Sequence, residues 1–208
     1  MFCDIKNRLD EAETDDDAVE FYRKCGFDTT TTLPKNGVRR WKCLLPFNVD
    51  ATFFIKYIED ANEKTAITLK IMHFLPAWFS PPEDIEKKAV THREYPFIAA
   101  FDNDAPIGFV ALKIHNQYTA DIFNLGVLES YHRQGIGRRL IEAAERYCLD
   151  NGYLYLTVKT LDSSAEYEPY KRTRAFYQKM GFISLEVFKT FWNEENPCLF
   201  MAKWLGTG

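Results

Sequence analysis

The chain has 208 residues, of which 46% are hydrophobic, 27% charged and 15% aromatic. That is the profile of a folded globular protein with enough aromatic side chains to bury a sizeable core, not of a disordered one. A formal net charge of −4, with no block rich in lysine and arginine, argues against a nucleic-acid partner. The five cysteines, Cys3, Cys25, Cys43, Cys148 and Cys198, are scattered, odd in number and lack a C-x-x-C pair, so a disulfide framework or zinc site is not expected. The run Asp15-Asp16-Asp17 reads as a solvated helix start, not a metal site. The first residues lack the apolar core of a signal peptide, and no apolar run approaches membrane-spanning length. Reduced thiols, no membrane partner and a cytoplasmic location are the expectations.

From the start of the chain, Ala18 to Phe27 read as a helix stopped by Gly26. Its end, F-Y-R-K-C-G-F, recurs as F-Y-Q-K-M-G-F from Phe176 to Phe182. After the first copy come Thr29 to Thr32, a turn at Pro34 to Gly37 and a β-like run V-R-R-W-K-C-L-L. After the second come a β-like run, a turn at Pro197 and C-L-F-M-A-K-W-L. Two readings stand: residues 1–62 are a partial duplication of the domain that follows, or the same helix-to-strand junction has recurred by chance. Phe47 to Asp60 fits strand or helix, since periodicity does not decide it. Glu63 and Lys64 read as a linker, placing the main domain at 63–208.

Thr65 to Phe74 alternates and reads as a first strand. Ser80-Pro81-Pro82 with Glu83 and Asp84 reads as a helix start with acids in its first turn. Pro96 to Asp102 and Ile107 to Ile114 read as a hairpin about a turn at Asn103 to Pro106, followed by a strand from Thr119 to Val127. From Gly137 to Asn151, Leu140, Ile141, Ala144, Tyr147 and Cys148 fall at helical spacing. Tyr153 to Lys159 is an almost unbroken apolar run, as a central strand buried on both faces requires.

The segment L-G-V-L-E-S-Y-H-R-Q-G-I-G-R-R-L, Leu125 to Leu140, carries the strongest chemical signal. A strand crosses a polar bend, passes Gly135 and Gly137 and opens a helix. Glycines permit a tight turn in which several main-chain N–H groups converge where the helix dipole adds positive charge, a socket for phosphate. The spacing is not that of a Walker loop, and the third glycine of a Rossmann fingerprint is absent, Leu140 standing there.

This loop resembles the pyrophosphate loop of the GNAT superfamily of N-acetyltransferases, Q/R-x-x-G-x-G/A, with His132 where Gln or Arg is usual. The order strand, helix, three strands, glycine loop, helix, strand, helix, two strands is also that of the GNAT fold, so the resemblance covers roughly residues 64 to 205. It implies an α/β (α+β) architecture: a mixed, mostly antiparallel central sheet flanked by helices and splayed between its fourth and fifth strands. It also implies an enzyme that passes the acetyl group of acetyl-CoA directly to a primary amine. A small-molecule amine is expected ahead of a protein, and assembly as a homodimer is left open. A non-catalytic acyl-CoA-binding module and a protein or peptide N-acetyltransferase are the alternatives.

By the same resemblance, main-chain groups of Leu125 and Val127 would bond the pantetheine arm. His132, Arg133, Gln134, Gly135, Ile136, Gly137 and Arg138 would cradle the pyrophosphate. Tyr177 matches the family tyrosine that serves as general acid at the sulfur, and Asp121 stands where some members carry a general base; Glu129, His115 and His132 are further candidate bases. The family motif N-x-x-A-x-x-F-Y is altered: Tyr170 occupies the place of the asparagine that bonds pantetheine, and Thr173 that of the alanine. The long polar connection from Leu161 to Pro169 suits a lid. Trp78 and Phe79 lie where this fold walls its acceptor pocket.

Overall fold

The computed structural model describes residues 27–29, 41–43, 53–79 and 81–206. The chain divides into two compact units, Met1–Asp50 and Ala51–Gly208. In the first, Phe27–Thr29 and Trp41–Cys43 pair antiparallel, Phe27 opposite Cys43. The strands that follow the second F-Y-x-K-x-G-F segment also pair antiparallel. The expected helix ending at Gly26 and the turn at Pro34 to Gly37 lie outside the described residues.

The second unit is built on a seven-stranded sheet. Its strands in chain order are β1 (Phe54–Ile58), β2 (Phe97–Asp102), β3 (Ala105–Asn116), β4 (Thr119–Val127), β5 (Tyr155–Leu161), β6 (Ile183–Asn193) and β7 (Asn196–Trp204). They lie side by side as β1-β2-β3-β4-β5-β7-β6. Every adjacent pair is antiparallel except β4 and β5, which run parallel. The helices are α1 (Ala61–His73), α2 (Pro82–Thr91), α3 (Ile136–Asp150) and α4 (Glu168–Lys179).

Two apolar layers sandwich the sheet. Ile67, Ile71, Met72 and Leu75 of α1 and its C-terminal end pack with Ile85 of α2 on Phe97, Ala99, Phe109 and Ala111. Ile136, Leu140, Ile141, Ala144 and Cys148 of α3 pack on Ile98, Val110, Leu112, Ile122, Leu156 and Val158. Successive strand residues point to opposite faces, so β2 and β3 feed both layers. This explains why β2 is buried from Phe97 to Phe101.

The first element differs from the sequence expectation. Thr65 to Phe74 is not a strand but most of α1. Its alternating apolar residues also place Ile67 and Ile71 four apart, on one helical face. The helix starts upstream, where the Asp60 carboxylate accepts the Glu63 N–H at 2.7 Å; such a cap stabilises a helix start by about 1 kcal/mol. Glu63 and Lys64 therefore lie inside this helix. Lys64 is buried and donates to the carbonyls of Arg93 (3.2 Å) and Tyr95 (2.7 Å). The first strand of the sheet is β1, which precedes residue 63 and pairs with β2 from Phe54 opposite Phe101 to Ile58 opposite Phe97.

Candidate functional site

Strands β4 and β5 part company halfway. They pair from Thr119 opposite Tyr155 to Ile122 opposite Val158, and no further. Beyond that point β4 stays with β3 as far as Val127 opposite Gly108, and β5 stays with β7 as far as Leu161 opposite Cys198. The parting coincides with a β-bulge: Ala111 faces Asn124 and Leu112 faces Ile122, leaving Phe123 without a partner on β3. A bulge sharpens local twist and bends its strand, which here turns β4 away from β5.

The wedge between them is a cleft lined by Ile122 to Leu125 of β4, Val158, Lys159 and Thr160 of β5, Tyr170, Thr173 and Tyr177 of α4, and Trp78 and Phe79 after α1. The main-chain N–H of Leu128 bonds the Ile107 carbonyl on β3 at 2.9 Å. Main-chain groups alternate sides along a strand, so those of Val127 and Leu125 face the opening. The Val127 carbonyl accepts His132 Nε2–H at 2.7 Å.

The cleft leads to the glycine loop. Gly135 is the N-cap of α3 at φ +86°, a conformation that suits glycine, and it supplies no side-chain cap. The first main-chain N–H groups of α3, from Ile136, Gly137 and Arg138, thus receive no side-chain acceptor at the positive end of the helix. Ile136 is buried and anchors the turn. A Cβ on Gly137 would lie 3.2 Å from the Phe176 ring, so the absence of a side chain there lets α3 and α4 approach closely.

The loop side chains serve the loop itself. Gln134 Nε2 donates to the Ser130 carbonyl at 3.0 Å. Arg133 takes a left-handed backbone conformation at φ +62°, and both it and Arg138 are exposed at the helix mouth. His132 points back to the end of β4, so its part is to hold the turn.

Tyr177 is buried, its ring packed against Phe176 and Phe182. Tyr177 lines the cleft, and its hydroxyl makes no hydrogen bond among the described residues. Burial first, then the Asp121 charge and Tyr170, hold its pKa well above the usual tyrosine value.

Tyr170 does not present its hydroxyl to the cleft as a free donor: it donates to the Trp78 carbonyl at 3.1 Å. Trp78 Nε1 in turn donates to Thr173 Oγ1 at 3.2 Å. Both residues that depart from the family motif thereby tie α4 to the segment after α1, and they bring Trp78 edge-on to His132, ring centroids 6.0 Å apart.

Asp121 is held within the sheet. It lies in the paired part of β4, only 4% exposed, and does not line the cleft. Its Oδ1 accepts from Thr157 Oγ1 at 2.7 Å and from Lys159 Nζ at 3.0 Å, while His115 Nε2 lies 3.9 Å from Oδ2. A carboxylate so engaged holds Lys159 in place. Glu129 is exposed on the loop surface.

Lys159, Asn124 and Thr160 also line the cleft. Lys159 extends over the Phe200 ring, 5.4 Å from its centroid. Asn124 Oδ1 accepts from His92 Nε2 at 2.9 Å, and His92 Nδ1 bonds Thr68 Oγ1 at 2.8 Å. Thr160 Oγ1 is the buried side-chain polar atom that has no hydrogen-bond partner among the described residues. None of these carries a motif; the polar Lys and Thr within an apolar strand run were the available signal.

Such a wedge running into an uncapped helix start defines a class of protein. The Acetyltransferase (GNAT) family model matches residues 64–182, and the chain belongs to that family. It is 31% identical over 104 residues to N-alpha-acetyltransferase 50 of Danio rerio, a match covering 47% of this chain and 57% of that protein. The chain thus spans just over half the length of this curated relative. Among solved structures, it resembles a GNAT family acetyltransferase from Elizabethkingia anophelis with acetyl-CoA bound, at TM-score 0.58 and 20% identity over 74% of this chain and 99% of that one. It also resembles the aminoglycoside 6′-N-acetyltransferase from Enterococcus faecium, at TM-score 0.61 and 17% identity over 74% and 98%. The sheet of this chain is mixed and mostly antiparallel, as expected from the sequence, and its one parallel pair among the described strands is β4–β5. No helix among the described residues is long and apolar enough to cross a membrane.

The residues suit an acyl-CoA. Uncapped helix N–H groups match a pyrophosphate, inward-facing main-chain groups of Leu125 and Val127 match an extended amide-bearing arm, and the unpartnered Thr160 hydroxyl marks an unmet polar contact in the same wedge.

Proposed function

We propose that this chain transfers the acetyl group of acetyl-CoA to a primary amine by direct transfer. The observation that carries the reading is the continuity of the β4–β5 wedge with the uncapped start of α3. Main-chain N–H groups of Gly135, Ile136, Gly137 and Arg138 hold the pyrophosphate, Arg133 and Arg138 add charge at the mouth, and His132 and Gln134 keep the turn in shape. Leu125 and Val127 hold the pantetheine arm through their main chains. When bound, acetyl-CoA supplies an activated thioester.

Tyr177 keeps its proton at neutral pH because burial and the nearby Asp121 charge disfavour the phenolate. Its hydroxyl is a donor for negative charge developing at a departing sulfur, stabilising it by hydrogen bonding. Asp121 acts through Lys159, fixing that cation at the cleft wall. Cys148 is fully buried, and burial pushes its thiol pKa up to about 12; Cys198 is also buried and shifted upward. Of the cysteines whose side chains are described, neither offers a thiolate, which supports direct transfer over a covalent acyl-enzyme.

The wall formed by Trp78 and Phe79, braced by Tyr170 and Thr173, narrows the cleft and favours a small amine over a peptide lying in an open groove. A panel of aminoglycosides, polyamines, amino acids and peptides, with acetyl-CoA and thiol release as the readout, tests this. Turnover with small amines is expected; turnover confined to peptides would replace the acceptor assignment, and no CoA binding at saturating concentration would overturn the whole reading.

A further inference from the structure

We infer that Thr160 is a ligand-binding residue, whose hydroxyl takes a hydrogen bond with a secondary amide of the arm that fills the β4–β5 wedge. This rests on the acyl-CoA reading above and adds to it a contact on β5, the strand opposite the one that presents Leu125 and Val127.

Thr160 is 2% exposed, and its Oγ1 has no partner among the described residues. Buried hydroxyls in folded proteins are almost always satisfied, because removal from water without a replacement bond is costly. Other threonines of the chain show the rule at work. Thr157, on the same strand, gives its hydroxyl to Asp121, Thr68 is bonded to His92, and Thr173 accepts from Trp78 and donates to the Pro169 carbonyl at 3.3 Å.

Strand alternation puts Thr160 on the same face as Leu156 and Val158, which belong to the α3 layer. The hydroxyl therefore belongs to the side of the wedge walled by Tyr170, Thr173 and Tyr177 of α4. Two of those three are already committed: the Tyr170 hydroxyl donates to Trp78, and the Thr173 hydroxyl is bonded on both sides. Thr160 is left as a hydroxyl on that wall with both its donor and its acceptor capacity unused. A chain of methylenes interrupted by secondary amides offers both an N–H and a carbonyl, and either satisfies it.

Thr160→Val is close to isosteric, suits a strand and removes only the hydroxyl. In calorimetric titrations of the 208-residue chain, the variant should bind acetyl-CoA about tenfold more weakly than wild type, the effect of losing one well-placed hydrogen bond. Adenosine 3′,5′-bisphosphate, which has no amide arm, should bind both proteins alike. Without ligand, the melting temperature of the variant should equal or exceed that of wild type, because an unmet polar group has been removed. Thr160→Ser should retain most of the acetyl-CoA affinity. Equal affinity of wild type and Thr160→Val for acetyl-CoA would overturn this assignment and leave the acyl-CoA reading intact. Failure of wild type itself to bind acetyl-CoA would overturn that reading. Parallel losses for acetyl-CoA and the bisphosphate, or an unfolded variant accompanied by a Thr160→Ser protein that also binds weakly, would show a structural role instead.

Discussion

Tyr170 donates its hydroxyl to the main-chain carbonyl of Trp78 across a separation of 92 residues in sequence. The Trp78 indole returns a bond to Thr173, three residues further along α4. One aromatic residue is thus held at both its main chain and its side chain by positions where the family pattern has Asn and Ala. Tyr170→Phe is expected to lower unfolding free energy by about 1 kcal/mol, the usual contribution of one such bond. Thr173→Val should act on the same brace. The two changes share a partner, so a double-mutant cycle in chemical denaturation should show coupling of at least about 0.5 kcal/mol. Strict additivity would mean that the two bonds do not act as one brace.

Gly135 and Gly137 constrain the loop for different reasons, and the difference is measurable. At Gly135 an added Cβ meets nothing within 4 Å, but φ is +86°. Gly135→Ala should therefore fold with a backbone penalty of about 1–2 kcal/mol and should shift the main-chain N–H groups that follow. At Gly137 the backbone is helical, but a methyl meets the Phe176 ring at 3.2 Å, so Gly137→Ala asks the ring to give a few tenths of an ångström. Titration with adenosine 3′,5′-bisphosphate should show a larger loss of affinity for Gly135→Ala. The reverse order would mean that α3–α4 packing, and not loop conformation, governs the phosphate socket.

The sequence and the structure agree where local signals were strong. The G-x-G turn, the amphipathic face of α3 and the apolar run of β5 each declare one element by composition alone. They part where a local pattern supported two periods: Ile67, Leu69 and Ile71 alternate like a strand, while Ile67 and Ile71 also stack like a helix, and the Asp60 cap decides in favour of helix. The site was half legible for a similar reason. A loop that works through main-chain N–H groups advertises itself by glycine. A wedge that opens at a bulge beside Phe123 does not, because the extra residue is defined only by its pairing with β3. Asp121 is the instructive case: its position on the strand fitted a base, but its engagement by Thr157 and Lys159 depends on the neighbouring β5.

Tyr177→Phe removes a hydroxyl that makes no bond among the described residues, so stability should change little while turnover falls. A loss of about ten- to a hundredfold in kcat, with acetyl-CoA affinity preserved, is expected for removing one donor near a charge-bearing atom. The raised pKa of this phenol also means that its deprotonation imposes no alkaline limb on the rate below the ordinary tyrosine value of about 10. Unchanged turnover at every pH would remove Tyr177 from the chemistry.

His92 makes the fold sensitive to acid. It is fully buried among Tyr95, Phe97, Phe109 and Phe123, and it links Thr68 of α1 to Asn124 at the cleft. Burial is the main cause that pushes its pKa down to about 4; the Asn124 bond opposes the shift, and Lys88 and Lys64 add to it. In the unfolded chain the same imidazole titrates near 6.5. Below that value the unfolded state binds a proton that the folded state refuses, so stability is full above about pH 6.5 and declines as pH falls through 4. One group with this shift costs about 3 kcal/mol across the window, at up to about 1.4 kcal/mol per pH unit. Chemical denaturation at pH 7.5, 6, 5 and 4 should trace that decline in wild type, whereas His92→Gln should show a markedly shallower slope whatever its absolute stability. The slope, not the midpoint at one pH, is the deciding quantity, because losing the bonds to Thr68 and Asn124 lowers stability at every pH. Equal slopes would place the acid-sensitive group elsewhere.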